Sequence, residues 1–212
     1  MSMPVIVLGA GGHAKVLLNA LQLSSVDILG ITDPDPALVG QKILGVSILG
    51  TDDELQNYST EEVQLVNGLG SVGLPTARYR LFDEFKKLGF SFAAVIHSSA
   101  VVAADVEIGE GSQIMAGAVL QPGVCIGDNV IINTSASVDH DCHIGNHTHI
   151  APGVTLSGEV NVGVGTHVGA GVSIVQGIRI GDGTLVGAGS VVLNNLPSGV
   201  KAYGCPAKVI ER

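Results

Sequence analysis

Residues 126–151 read IGDNVIINTSASVDHDCHIGNHTHIA, and an aliphatic residue stands at every sixth position of this stretch. The fourth residue after each of them is small or β-branched, as at Ala136, Cys142 and Thr148. A helix repeats every 3.6 residues and a free-standing strand every two, so neither explains a strict period of six. The register continues unbroken in both directions, and its sixteen members are Ile96, Val102, Ile108, Ile114, Leu120, Ile126, Ile132, Val138, Ile144, Ile150, Leu156, Val162, Val168, Ile174, Ile180 and Val186.

This repeat predicts a parallel β-helix, a solenoid in which short strands alternate with tight corners. The aliphatic side chain points inward on each face, and the small residue lets the chain turn. Three hexads close one triangular coil, so positions eighteen residues apart lie one above another. Neighbouring coils are then about 4.8 Å apart, which is the usual distance between hydrogen-bonded strands.

Composition and charge narrow the range of partners. The chain has 212 residues, of which 14% are charged and 3% aromatic, and its net charge is −9. Nucleic acids and anionic membranes reward clustered Lys and Arg, so this charge argues against both. No run of 18 apolar residues is present to span a membrane. The chain start lacks a signal-peptide pattern, and the scattered Cys125, Cys142 and Cys205 indicate reduced thiols. We therefore expect a cytoplasmic protein.

The first ninety or so residues follow another pattern, in which apolar strands alternate with helices. Strands are predicted over residues 4–8, 26–32 and 63–66, and helices over 13–23 and 75–87. Such alternation predicts a small Rossmann-like parallel sheet of the nucleotide-binding kind. We expect two domains joined without a linker: an α/β domain over residues 1–92, and a β-helical domain with a C-terminal tail over residues 93–212.

The turn after the first strand, Gly9-Ala10-Gly11-Gly12-His13-Ala14, approaches the G-x-G-x-x-G fingerprint. Free N–H groups at the start of the following helix suit a phosphate, and Asp33 ends the next strand, where a carboxylate can bind a ribose. The alternatives are a tight turn without ligand and a redox dinucleotide, although one small domain supplies only half of a dinucleotide fold. We favour a nucleoside diphosphate attached to a sugar. The residues expected to bind it are Gly11, Gly12, His13, Asp33 and Gly70.

Three segments together carry a resemblance to a known family. They are the Gly-x-Gly-Gly-His turn, the hexads around Ser137-Val138-Asp139-His140-Asp141-Cys142-His143-Ile144-Gly145, and Gly204-Cys205-Pro206-Ala207-Lys208. Over essentially its whole length the chain resembles bacterial sugar acyltransferases of the sialic-acid O-acetyltransferase type, above all the UDP-N-acetylbacillosamine N-acetyltransferases. This resemblance implies a left-handed β-helix and a homotrimer with active sites between adjacent subunits. It also implies acetyl-CoA in a groove between neighbouring β-helices and a nucleotide sugar on the N-terminal domain.

Transfer of an acetyl group to an amine needs a general base, and His140 is the candidate. It stands outside the two inward rows of its hexad, so we expect it at the surface with Asp141 orienting its ring. Gly158 lies eighteen residues further on, and its N–H is a candidate for the oxyanion hole. Asn133, one hexad earlier, is a candidate further polar partner. The alternative for His140 is an ordinary solvated histidine.

By the same resemblance, His149 matches the position that contacts acetyl-CoA, and Ala170, Ala188 and Gly158 are expected along the coenzyme groove. Five histidines between residues 140 and 167 also raise a zinc alternative, since β-helical carbonic anhydrases bind zinc with three histidines between subunits. The flanking motifs favour the acetyltransferase, and we expect no metal.

The sequence therefore predicts an acetyl-CoA-dependent N-acetyltransferase that acts on the 4-amino group of a nucleotide-linked sugar of the UDP-4-amino-4,6-dideoxy-N-acetylglucosamine type, for surface glycan biosynthesis. Alternatives within the family are N-acetylation of a GDP-linked amino sugar such as perosamine and O-acetylation of a sialic acid. Alternatives of another class are a zinc carbonic anhydrase and a nucleotide-binding scaffold whose coil is only structural.

Overall fold

The computed structural model describes residues 3–211, and its first part is a five-stranded sheet with an α-helix on each face. Its strands are β1 (Val5–Leu8), β2 (Ile28–Thr32), β3 (Lys42–Ile43), β4 (Val46–Gly50) and β5 (Gln64–Asn67), and its α-helices are α1 (Gly12–Gln22) and α2 (Thr76–Lys87). Two 3₁₀ helices span Pro36–Leu38 and Asp52–Asn57. The order across the sheet is β3-β4-β2-β1-β5, and only the hairpin of β3 and β4 is antiparallel.

Burial explains this arrangement. All four residues of β1 are buried, as a central strand between two helical layers requires. Helix α1 packs its apolar stripe on one face of the sheet, while Phe82 and Phe85 of α2 pack on the other. The predicted helices and strands agree with the structure to within two residues at each end, whereas the sheet also contains the hairpin of β3 and β4.

The second part is a left-handed β-helix made of seventeen two-residue strands, β6 to β22, spaced six residues apart. They are Val95–Ile96, Val101–Val102, Glu107–Ile108, Gln113–Ile114, Val119–Leu120, Cys125–Ile126, Ile131–Ile132, Ser137–Val138, His143–Ile144, His149–Ile150, Thr155–Leu156, Asn161–Val162, His167–Val168, Ser173–Ile174, Arg179–Ile180, Leu185–Val186 and Val191–Val192. The predicted register thus continues for one further hexad, to Val192. A final hairpin of β23 (Lys201–Tyr203) and β24 (Lys208–Glu211) extends one of the sheets.

Every third strand belongs to the same parallel sheet, and the three sheets form the sides of a triangular prism. The first face contains β6, β9, β12, β15, β18 and β21, the second runs from β7 to β22, and the third from β8 to β20. Partners are eighteen residues apart, as His149 and His167 show. The inward residues Ala136, Val138 and Cys142 are fully buried, which confirms the role of the hexad pattern.

The α/β domain continues directly into the coil. The N–H of Leu65 in β5 donates to the Ser91 carbonyl, the N–H of Ala93 donates to the Leu65 carbonyl, and Val95 already belongs to the first coil. The α/β domain covers the part of the first face nearest the start of the coil, where Gln113 and Ile131 are buried. Over the described residues, no helix is long and apolar enough to cross a membrane.

Candidate active site

His140 lies at the corner where the chain passes from the second face to the third, which we call the histidine edge. Its side chain is 48% exposed, as expected for a residue outside the inward rows. Its Nδ1 is 2.8 Å from Oδ2 of Asp141. Because a carboxylate can only accept, Nδ1 carries the proton in the neutral ring and Nε2 keeps a lone pair. This is the tautomer that a general base at Nε2 requires.

The charges around His140 favour its protonated form. The hydrogen bond with Asp141 raises the pKa of His140 above its ordinary value of 6.5, and the nearby Asp139 and Glu159 raise it further, against a smaller desolvation effect. Asp141 has a φ of 58°, a left-handed conformation that Asp tolerates better than most residues. The turn therefore fixes the carboxylate beside the ring.

Gly158 stacks directly above His140 at the histidine edge. A Cβ at this position would clash with Nε2 and Cε1 of the His140 ring, so a glycine is needed for the imidazole to lie there. Among the described residues, no acceptor binds the N–H of Gly158. The structure thus brings three of the predicted catalytic residues, His140, Asp141 and Gly158, to one place.

A second group of predicted residues lines a cavity of about 410 Å³ between the α/β domain and the coil, which we call the cleft. Its lining residues are Gly12, His13, Val16, Gly70, Ser71, Val72, Asn133, Thr134 and His149. Gly11 and Gly12 open helix α1, and a Cβ on either would meet no atom within 4 Å. The turn therefore leaves open space at the helix start, as the predicted phosphate site requires.

Asp33 supports this turn. Its Oδ2 accepts from the N–H of Ala10 at 2.7 Å, and its Oδ1 accepts from the N–H of Asp35 at 3.0 Å. The carboxylate predicted to bind a ribose thus already connects the end of β2 to the glycine turn. Each oxygen keeps a further lone pair for a ligand.

Asn133 and His149 belong to the cleft. The Oδ1 of Asn133 accepts from the Thr134 N–H at 2.8 Å, so its Nδ2 donates to Nε2 of His149 at 3.0 Å. The Nδ1 of His149 then carries the proton and donates to Oγ of Ser71 at 2.7 Å. Burial lowers the pKa of His149 to about 3, so the ring is neutral at pH 7. The ring of His167 packs against it, with centroids 4.9 Å apart.

The structure does not show the predicted contact of Asn133 with His140. Consecutive hexads occupy consecutive corners of the prism, so Asn133 lies at the corner between the first and second faces, which we call the cleft edge. Ala170 and Ala188 lie exposed at this same edge, two and three coils above Thr134. They continue the line of the cleft upward, whereas His140 is at the other end of the second face.

Three residues of this region have no part in the sequence-based prediction: Gln113, Ser71 and Arg78. Gln113 bridges His13 and the Asn67 carbonyl, and the buried Arg78 donates to the carbonyls of Asn67 and Leu69 at 2.9 Å. One available signal is the column of outward residues on the first face, which includes Gln113 and His149. The side chains in this column are large, whereas the equivalent positions on the second face carry small residues such as Ser137 and Thr155. This difference indicates that another domain covers the first face.

Within residues 3–211, no group of three or more His, Cys, Asp or Glu side chains is placed to hold a metal ion. His140 binds Asp141 at the histidine edge, whereas His149 on the first face binds Asn133 and Ser71. Both ring nitrogens of His149 are therefore already engaged.

Comparison with known proteins agrees with this architecture. The family model described as the PglD N-terminal domain matches residues 4–85, and that of the bacterial transferase hexapeptide (six repeats) matches residues 105–138 and 126–158. A search of curated proteins finds no match.

Several solved structures are similar over their whole length. PerB from Caulobacter crescentus, in complex with CoA and GDP-perosamine, is 38% identical with a TM-score of 0.89, covering 99% of this chain and 100% of that one. The acetyltransferase domain of PglB from Neisseria gonorrhoeae is 35% identical with a TM-score of 0.87, at the same coverage. WeeI from Acinetobacter baumannii, 23% identical with a TM-score of 0.70 over 99% of this chain and 100% of that one, shares the fold. The chain therefore belongs to the bacterial sugar acyltransferase family with a PglD-type N-terminal domain and a hexapeptide-repeat β-helix, and it is an acyltransferase.

Proposed function

We propose that the protein uses acetyl-CoA to acetylate the 4-amino group of a nucleotide-linked 4-amino-4,6-dideoxy sugar in the cytoplasm, for surface glycan biosynthesis. The observation that carries this proposal is the His140–Asp141 pair beneath Gly158, on a coil whose first face forms a cleft with a nucleotide-type glycine turn. The sequence resemblance favours the UDP-4-amino-4,6-dideoxy-N-acetylglucosamine type. The similarity to a protein that binds CoA and GDP-perosamine supports a GDP-linked sugar comparably, and perosamine is also a 4-amino-4,6-dideoxy sugar.

In the proposed reaction the sugar amine attacks the acetyl carbonyl carbon, and the carbon–sulfur bond breaks. Nε2 of His140 takes the amine proton, while the Asp141 carboxylate stabilises the resulting imidazolium through Nδ1. The imidazolium then gives a proton to the departing thiolate, so CoA leaves as a thiol. The N–H of Gly158, which has no acceptor within the described chain, is assigned to the carbonyl oxygen as negative charge develops there.

Binding is assigned to the cleft and its upward continuation. We assign the diphosphate to the N–H groups of the Gly11–Gly12 turn, the ribose to Asp33, and the opposite side of the cleft to Gly70. His149, Ala170 and Ala188 are assigned to the acetyl-CoA groove along the cleft edge. Asn133 is retained as a residue that holds His149 rather than one that acts on His140.

This assignment requires a second subunit. In one chain the histidine edge and the cleft edge lie at opposite sides of the second face, so the base does not reach the cleft. A cyclic homotrimer places the histidine edge of each copy beside the cleft edge of the next, because a heterologous contact that closes on itself repeats the same pair of surfaces. The second face has small outward side chains, among them Ser137, Thr155 and Ser173, which allow neighbouring subunits to approach closely.

The direct test is CoA thiol release from acetyl-CoA with each of two acceptors, UDP-4-amino-4,6-dideoxy-N-acetylglucosamine and GDP-perosamine. We expect wild type to turn over one of them and His140→Ala to lose about 1,000-fold in rate while still binding acetyl-CoA. His97→Ala, which removes a histidine near the bottom of the coil, is the matched control and should keep wild-type turnover.

The other outcomes separate the alternatives. Turnover of a sialic acid alone would show O-acetylation and refute the amine acceptor. Absence of turnover on every acceptor, together with stoichiometric zinc that His140→Ala loses, would replace the proposal with a zinc enzyme. Absence of CoA binding would leave only a nucleotide-binding scaffold.

A further inference from the structure

The orientation of the Gln113 amide is fixed by its surroundings. Gln113 is fully buried on β9 of the coil, and its Nε2 lies 2.8 Å from the backbone carbonyl oxygen of Asn67, at the end of β5. A carbonyl oxygen can only accept a hydrogen bond, so the amide nitrogen must be on that side. The Oε1 of Gln113 therefore faces the opposite way, toward the glycine turn.

That orientation determines the tautomer of His13. Its Nε2 lies 2.7 Å from Oε1 of Gln113, and because the amide oxygen is an acceptor, Nε2 must carry the proton. Burial lowers the pKa of His13 to about 4, an effect that the charge of Arg78 reinforces and the bond to Gln113 opposes. At pH 7 the ring is therefore neutral, and Nδ1 holds an unprotonated lone pair.

The Nδ1 side of the ring is available to a ligand. Within the described part of the chain, Nδ1 of His13 has no hydrogen-bond partner, and the ring lines the cleft. Gly70 faces it: a Cβ there would lie 3.1 Å from the His13 Cβ and 3.9 Å from Nδ1. The absence of a side chain at Gly70 keeps this edge of the ring open.

We propose that Gln113 is a positioning residue that fixes His13 as a hydrogen-bond acceptor, and that His13 Nδ1 binds a donor group of the sugar, a hydroxyl or an amine, rather than a phosphate oxygen. A phosphate oxygen is itself an acceptor at neutral pH, so it cannot form a hydrogen bond with the lone pair of His13 Nδ1. The backbone of the glycine turn then holds the diphosphate, while the side chain of His13 in the same turn binds the sugar. This inference rests on the proposed function, since it assumes a nucleotide sugar in the cleft.

His13→Gln provides the test. The amide nitrogen of a glutamine can take the place of Nε2 and still donate to Gln113, but nothing replaces the acceptor at Nδ1. Calorimetry measures binding of the nucleotide sugar that wild type acetylates and of the matching nucleoside diphosphate without sugar. We expect about tenfold weaker binding of the nucleotide sugar and unchanged binding of the diphosphate. His97→Gln, a histidine outside the cleft, should change neither.

Two results would overturn the inference. Equal weakening of both ligands would mean that His13 holds the phosphate, and no weakening of either would mean that its ring does not contact the ligand. If wild type itself binds neither nucleotide sugar, the proposed function fails, and the inference falls with it. That result is recognised by the wild-type measurement alone.

Gln113→Glu tests the positioning role separately. The glutamate loses the donor to the Asn67 carbonyl but still accepts from His13 Nε2, and its negative charge favours the imidazolium, in which Nδ1 becomes a donor. Arg78 also lowers the pKa of His13, and the nearby His149 is neutral at pH 7; both residues remain in place. We expect the affinity for the nucleotide sugar to become pH-dependent between about pH 5 and 8 in this variant and to stay flat over that range in wild type. A weaker but pH-independent affinity would show that Gln113 has only a structural role.

Discussion

At the residue scale, Asp141 is expected to control the pH at which the enzyme works. Because it raises the pKa of His140 and only the neutral ring is a base, kcat/KM falls as pH falls through this raised pKa. Asp141→Asn keeps the left-handed turn, which asparagine tolerates, but removes the charge. We expect the acidic limb of the pH–rate profile to move to lower pH, with about tenfold lower maximal rate.

Initial-rate measurements of kcat/KM from pH 5 to 9 check this prediction. Asp105→Asn is a useful control, because Asp105 lies two coils below Asp141, where it accepts from the N–H of Gly123 and does not bind the His140 ring. An acidic limb that stays in place in Asp141→Asn would show that another group sets it.

The space above His140 leads to a second residue-scale prediction. Gly158→Ala puts a methyl group where the imidazole lies, while its backbone conformation suits alanine. The ring must rotate away, and a displacement of this size costs about 100-fold in rate. Thermal unfolding should be nearly unchanged, because the displaced side chain is half exposed. Wild-type turnover in this variant would show that the ring is not used in the position described.

At the element scale, Arg78 of α2 joins the two domains, and no carboxylate among residues 3–211 is its partner. Its guanidinium donates to the carbonyls of Asn67, at the end of β5, and Leu69, in the following loop. It also reaches the carbonyl of Asn129 in the coil at 3.4 Å. Burial lowers its pKa to about 9, which still leaves it charged at pH 7. Arg78→Met leaves these buried carbonyls without a hydrogen-bond donor, and we expect the free energy of unfolding to fall by about 3 kcal/mol.

Urea denaturation followed by circular dichroism measures this change. Arg78→Lys, which keeps the charge but cannot donate to several carbonyls at once, should lose less than the methionine variant. Equal stability of all three proteins would mean that water replaces the guanidinium at no cost.

The elements also show how far the sequence leads. The inward rows of the coil and the stacking of Gly158 on His140 follow from periods of six and eighteen residues, and both are predictable. The contacts of His13 with Gln113 and of Ser71 with His149 join positions 100 and 78 residues apart, and no period relates them. Asn133 is predicted as a further polar partner from the hexad before that of His140, yet one hexad is a step to another corner. Local pattern therefore predicts the proximity of His140, Asp141 and Gly158, whereas docking of the domains decides the cleft.

At the scale of the whole molecule, the proposed site should be shared between subunits, which complementation can reveal. Gly12→Leu projects a side chain into the cleft without a clash, so it should block substrate binding and leave the fold intact. His140→Ala should be inactive because it lacks the proposed base, although its cleft is intact. Co-expressed in one cell, the two variants form mixed trimers in which about a quarter of the sites contain both intact halves.

We therefore expect co-expression to restore about a quarter of wild-type turnover, although each variant alone has almost none. A double variant carrying both changes in one chain, co-expressed with His140→Ala, is the control and should restore nothing. Absence of recovery in mixed trimers, once their composition is verified by affinity tags, would place the whole site within one subunit.

The unbroken register of the coil also limits how the gene can change in length. An insertion of eighteen residues adds one full turn, so every later side chain keeps its face and moves about 4.8 Å along the prism. An insertion of six residues keeps the hydrophobic interior equally well but transfers everything after it to the next corner. Placed between Asn133 and His140, such an insertion would preserve the fold and still carry the proposed base away from the cleft edge of the neighbouring subunit in the proposed trimer. Length variation in this coil is therefore tolerated by folding in steps of six, whereas later residues keep their corner only in steps of eighteen.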